Sequence, residues 1–110
     1  MQKIVIDTNV MVSALIQKNY PFLIINDLFI ENKFQLCVSE ALLQEYYSVY
    51  NRPKFNKYKD FNNNAKNLIS DIEIKSVYYT VTIRLSIIDD DADNRLLELA
   101  EISNADYLIT

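Results

Sequence analysis

The sequence predicts an α/β domain of three layers, a central parallel sheet flanked by helices, and three observations carry that expectation. Ile4, Val5 and Ile6 form a short continuous β-branched run, as expected for a strand covered on both faces. A second run, "FQLCV" at 34–38, leads directly into an amphipathic stretch, and a third, "DYLIT" at 106–110, follows another. Strand, helices, strand, helix, then helix and strand again is the order of a parallel sheet with helical crossovers. At 110 residues the chain is one domain, long enough for a single core burying roughly 65% of the unfolded surface.

Asp7 follows the first strand directly, at the carboxyl end where open α/β sheets hold their ligands. Equally, Asp7 or Asn9 could cap the helix that comes next. Helices are expected over 11–17 and 21–31, the second with Pro21 at its start, where a missing N–H costs nothing. Ser39 is a candidate N-cap for "EALLQEYYSVY", whose apolar face is Leu42, Leu43, Tyr46, Tyr47 and Val49. That helix ends at Arg52-Pro53, because the residue before proline is pushed out of the helical region. The asparagine-rich stretch over 56–67 reads as a weak helix or a loop. The β-branched run "IEIKSVYYTVTIRLSII" puts a strand near 73–77 and a second segment, of either type, up to 88. An amphipathic helix over 93–103 and the closing strand at 106–110 complete the chain. Parallel strands are usually buried by the elements after them, so a strand at the last residue points to a domain shortened at its C-terminus.

Two absences narrow the chemistry. The chain has no histidine, which removes Ser-His-Asp and Cys-His nucleophile systems and imidazole ligation of zinc. It has no glycine, which removes the P-loop and the G-x-G-x-x-G dinucleotide fingerprint. Carboxylates remain as the chemistry of an enzyme, with 15 Asp and Glu residues, and oxygen ligands favour Mg²⁺ or Mn²⁺. A net charge of −4 argues against a globally basic nucleic-acid binder. A local strip survives that argument: Arg52, Lys54, Lys57 and Lys59 are interleaved with Phe55 and Tyr58, suited to RNA phosphates and base stacking, or else to an ordinary solvated loop. Cys37 lies in an apolar run and reads as a small buried hydrophobe. No apolar stretch approaches the roughly 18 residues of a membrane span and no signal-like leader opens the chain, so the expected location is the cytoplasm.

Three acids recur at equivalent points of the α/β pattern. Asp7 ends the first strand, Glu45 lies on the helix after the second, and Asp93 opens the helix before the last. Converging on one crevice, they would repel one another unless a divalent cation neutralised them. Each also has a structural reading: Glu45 as an exposed helix acid, Asp93 as an acid favoured by the helix dipole, and Asp89 to Asp91 as a solvated run.

The blocks "IVIDTNV", "LCVSEALLQEY" and "DDDADNRLLELAEISNADYLIT", in that order over essentially the whole chain, resemble the PIN-domain family, and within it the toxin components of bacterial toxin–antitoxin systems. PIN domains are metal-dependent ribonucleases of a three-layer, Rossmann-like fold. The resemblance therefore implies that Asp7, Glu45 and Asp93 are catalytic and ligate Mg²⁺ or Mn²⁺, with Asp90 as an accessory acid. Thr8, Asn9 and Ser39 are the supporting polar groups it implies. It also implies an RNA substrate, an antitoxin partner and a homodimer. Two departures stand out. Family members continue after the last strand to a fourth acid, and Asn104 replaces their usual glycine, as a residue that tolerates the left-handed conformation.

Besides a toxin ribonuclease acting by metal-activated water, the sequence admits a catalytically weak PIN-like module that binds RNA or an antitoxin. A dehalogenase-like phosphotransferase is disfavoured, because that chemistry needs a second aspartate where Asn9 stands.

Overall fold

Four strands, β1 (Gln2–Ile6), β2 (Phe34–Val38), β3 (Val77–Tyr78) and β4 (Tyr107–Ile109), pair in parallel in the order β3-β2-β1-β4. The computed structural model that shows this describes residues 1–16, 31–50, 52–58 and 61–110. Around the sheet run α1 (Thr8–Ile16), α2 (Glu40–Tyr50), α3 (Phe61–Lys75) and α4 (Asp91–Ser103), with a single 3-10 turn at Pro53–Phe55. This is the α/β architecture the sequence predicts.

Central position explains the composition of β1. With β2 on one side, Gln2 opposite Phe34, and β4 on the other, Ile4 opposite Tyr107, its apolar residues have no open face. Ile4, Val5 and Ile6 are at most 1% exposed. They form one core with Leu36, Cys37 and Val38 of β2, Leu42 and Tyr46 of α2, Ile72 of α3, and Leu96 and Leu99 of α4. Cys37 packs there as the expected small hydrophobe, and burial pushes its thiol up. A second cluster, Val12, Val49, Phe55, Phe61 and Ala65, joins α1, α2 and α3, with Phe55 stacked on Phe61 at 4.8 Å between ring centres.

Ser39 caps α2 as expected, its Oγ accepting from Leu42 N at 3.3 Å. Of the two readings of the asparagine-rich stretch the helix is the one formed over 61–67, and the segment over 73–77 departs from expectation. The asparagine-rich stretch belongs to a helix that runs to Lys75, so the strand expected near 73–77 is reduced to Val77–Tyr78. Phe61, Ala65 and Ile72 recur at helical spacing and all three are buried. That anchored face outweighs the β-branched preference of the sequence around Ile72 and Ile74. The helix expected over 21–31 lies almost wholly outside the described residues.

α4 ends as its sequence suggests. Asn104 adopts the left-handed conformation (φ 54°, ψ 44°), and Ala105 N closes on Ala100 O at 3.1 Å. Among the described residues no helix is long and apolar enough to cross a membrane.

Candidate active site

The strand order reverses direction at β1, which places a topological switch point between the carboxyl ends of β1 and β4. Asp7 stands there. Its N–H donates to Ile109 O at 2.9 Å, so the last strand fixes its backbone. Its Oδ1 accepts from Asn9 N at 3.3 Å, and its carbonyl accepts from Val10 N and Met11 N at the first turn of α1. The capping role and the strand-end role thus belong to one residue, because a capping carboxylate uses one oxygen and leaves the other available.

Glu45 reaches the same edge from α2. Thr8, buried at the start of α1, donates its Oγ1 to Glu45 Oε2 at 2.8 Å. Tyr46, the next residue on α2, donates its hydroxyl to Ile6 O at 2.5 Å, at the last residue of β1 before Asp7. Burial pushes the Tyr46 hydroxyl well above the usual tyrosine range, and the negative charges of Asp7 and Glu45 push it further. Tyr46 is therefore a neutral donor facing both acids. Its place in the apolar face of α2 concealed this role in the sequence.

Asp93 lies exposed in the first turn of α4. Asp90 precedes that helix as its N-cap, with Oδ1 accepting from Ala92 N at 2.8 Å and from Asp93 N at 3.3 Å. A notch of about 20 Å³ between α2 and α4, lined by Glu45, Ala41, Ala92 and Arg95 among others, has room for about one water-sized particle. Glu45 therefore faces the turn that carries Asp93. The ion pairs Arg84–Glu98 and Arg95–Glu98 are formed away from Asp7, Glu45 and Asp93. No group of three or more acids among the described residues is gathered closely enough to hold one ion. The structure brings Thr8 and Glu45 together next to Asp7 and leaves Asp93 exposed on the first turn of α4.

A family model described as PIN domain matches residues 3–110. The chain belongs to the PIN-domain family. A relative, "Uncharacterized protein MJ1680" of Methanocaldococcus jannaschii, is 32% identical over 103 residues, which covers 94% of this chain and 66% of the relative. The chain thus spans just under two thirds of that protein's length. No solved structure matches. PIN domains are generally nucleases that use divalent metals, so membership supports a nuclease-like hydrolase.

The donor set fits that chemistry. Asp7 and Glu45 offer only carboxylate oxygens, and Mg²⁺ usually keeps several waters while taking one or two carboxylates, so the donor type is one that a hydrated Mg²⁺ or Mn²⁺ accepts. Asn9 contributes its backbone N–H to Asp7, and Ser39 serves the start of α2. The basic strip lies in the turn after α2: Lys54 Nζ is 5.1 Å from the Phe55 ring centre and Lys57 Nζ 5.2 Å from that of Tyr58. Phe55 is buried in the second cluster, so of the two aromatics in the strip only Tyr58 is exposed for stacking.

Two further polar residues went unnoticed in the sequence. Asn94 and Glu98 are buried one turn apart on α4 and hold the irregular segment before that helix. Asn94 Nδ2 donates to Ile88 O at 2.6 Å, its Oδ1 accepts from Ile88 N at 3.0 Å, and Glu98 Oε2 accepts from Leu85 N at 2.7 Å. The available signal was two polar residues at helical spacing among apolar ones, "NRLLELA".

Proposed function

We propose that this PIN domain is a divalent-metal-dependent endoribonuclease, the toxin of a toxin–antitoxin pair, acting in the cytoplasm as a homodimer on RNA and restrained by an antitoxin. The observation that supports it most is the pairing of Asp7, at the switch point, with Glu45 through Thr8. Asp7 and Asp93 would hold Mg²⁺ or Mn²⁺, and Glu45 would hold the ion or orient the attacking water, with Asp90 as an accessory acid. When bound, the ion supplies charge neutralisation at the phosphodiester and a water of lowered pKa.

The chain's own groups prepare the rest. Thr8 holds Glu45 in one orientation, and the Tyr46 hydroxyl anchors the β1 terminus from which Asp7 projects. Arg52, Lys54 and Lys57 supply positive charge for the RNA backbone.

A second reading, a catalytically weak PIN module that binds RNA or an antitoxin without cutting, draws on there being no group of three acids close enough to hold one ion among the described residues. One experiment separates them: cleavage of mixed RNA with Mn²⁺ by this chain, by Asp7→Asn and in the presence of EDTA. Cleavage abolished by both changes supports the enzyme. RNA bound and left intact by the unaltered chain supports the binding module.

A further inference from the structure

Two arginines share one buried acid. Glu98 on α4 is fully buried, and its Oε2 meets Arg95 Nη2 at 2.8 Å and accepts from Leu85 N at 2.7 Å. That pairing already compensates the charge of the carboxylate. Arg84 Nη1 lies 3.8 Å from Glu98 Oε1, too long for a hydrogen bond, so the contact takes none of the N–H donors of its guanidinium. The Arg84 side chain is 74% exposed, against 29% for that of Arg95. One arginine is thus built into the wall, and the other is presented to solvent.

Both arginines line a cavity of about 310 Å³ beyond the carboxyl ends of β2 and β3, whose wall includes Ser39, Glu40 and Ala41 at the start of α2. The notch beside Glu45 shares Ala41 and Arg95 with it, so cavity and notch are neighbours in the groove between α2 and α4. Across the two linings Arg84 and Arg95 are the cations, and Glu40, Glu45 and Glu98 the acids. Glu40 turns Oε1 to Gln44 Nε2 and Oε2 to the Tyr78 hydroxyl. A wall so balanced does not concentrate a small free anion. It suits a phosphate delivered by a strand that is held elsewhere as well. The basic strip offers that second hold: the cavity adjoins the first turn of α2, a helix roughly 16 Å long, and Arg52, Lys54 and Lys57 follow its end. Glu45 stands midway along it.

We propose that Arg84 binds one phosphate of the RNA, on the side of the scissile bond nearer the start of α2; the proposal rests on the ribonuclease reading of Asp7, Glu45 and Asp93. A guanidinium presents paired N–H donors that match two oxygens of a phosphate, which is why arginine serves this recognition better than lysine does. The backbone that carries Arg84 is held in advance. Both polar groups of the next residue are taken by the α4 pair, Leu85 N by Glu98 Oε2 and Leu85 O by Arg95 Nη2 at 3.3 Å. An arginine on an anchored segment binds without the cost of ordering that segment. Such a contact fixes the position of the strand beside Glu45 and reads no base, so its strength is the same for every sequence.

The test is fluorescence anisotropy of short single-stranded RNAs of several sequences, bound to the intact chain with EDTA present over a series of KCl concentrations. Arg84→Gln should weaken binding roughly three- to tenfold on every sequence and reduce the slope of log affinity against log salt by about 0.7, the share of one phosphate contact on a single strand. Arg84→Lys keeps the charge and should keep the parental slope. Because Arg84 is exposed and Glu98 retains Arg95, both variants should fold with unchanged helical content. Unchanged affinity and slope in Arg84→Gln overturn the phosphate contact. So does a loss confined to one sequence, or one equally large in Arg84→Lys with the slope unaltered. If the unaltered chain still cleaves RNA with Mn²⁺, the ribonuclease reading stands without the contact. A chain that neither binds nor cleaves RNA overturns the two together.

Discussion

Thr8 Oγ1 and Glu45 Oε2, 2.8 Å apart, couple the first residue of α1 to the middle of α2, and so couple the strand-end acid to the acid on the neighbouring helix. Removing that bond while keeping the volume, in Thr8→Val, should leave the fold intact and free Glu45 to rotate. We expect kcat for RNA cleavage to fall on the order of tenfold with KM little changed, and Thr8→Ser to restore most of it. Single-turnover cleavage by the two variants decides the matter, and a Thr8→Val enzyme as fast as the parent would remove Thr8 from any positioning role.

Tyr46 makes the stability depend on alkaline pH. Its hydroxyl is held well above the ordinary value of 10.0 in the folded chain and returns to it on unfolding. The folded state thus keeps a proton that the unfolded state loses, so this contribution is complete below pH 10 and declines as pH rises beyond it. Tyr46→Phe should cost about 1 kcal/mol near neutrality through the lost bond to Ile6 O. Urea denaturation at pH 7 and pH 11 should show the gap between the two proteins narrowing at the higher pH, since phenylalanine has no proton to lose.

Asn94 clamps both backbone groups of Ile88. Asn94→Ala should destabilise the domain by about 2 kcal/mol, through one lost pair of hydrogen bonds and a small void. Hydrogen exchange offers the sharper measure: amides at 85–88 should lose protection first, while those of β1 keep theirs until global unfolding. Equal loss everywhere would mean that the segment has no separate opening.

Asn104 in the left-handed region is a further place to measure. Asn104→Ala should cost about 1 kcal/mol, and Asn104→Gly should be neutral or stabilising, because only a β-carbon opposes this backbone. Thermal unfolding of the pair checks the order, and an alanine variant at least as stable as glycine would contradict it.

The fold could be read in the sequence where a segment is buried on all sides or strictly amphipathic. β1, β2, α4 and β4 lie within two residues of their expected limits, because their apolar runs answer to one environment each. α3 could not, since its stabilising face is four residues spread over three turns, Phe61, Ala65, Leu68 and Ile72, inside a polar and β-branched background. Of the candidate site, Asp7, Glu45 and Asp93 are legible as acids at repeating points of the topology, and the structure ties Glu45 to the residue after Asp7. Glu98 was not, because a charged residue on an amphipathic helix is normally placed toward solvent, and its burial arises only when Leu85 N arrives from the segment before the helix, alongside Arg95 one turn earlier on the same helix. Tyr46 was hidden for the opposite reason: an aromatic at a core position gives no hint that its hydroxyl ends beside two carboxylates.

The bond from Asp7 N to Ile109 O joins residues from opposite ends of the described chain. During synthesis, which proceeds N-terminus first at roughly 5–20 residues per second, β1 emerges early with its β4 neighbour still unmade. Its apolar residues can pair with β2 in the meantime, but the backbone at Asp7 gains its native partner only after β4 is released. The nascent chain therefore passes through a short interval in which the carboxyl edge of the sheet around Asp7 is still unfinished.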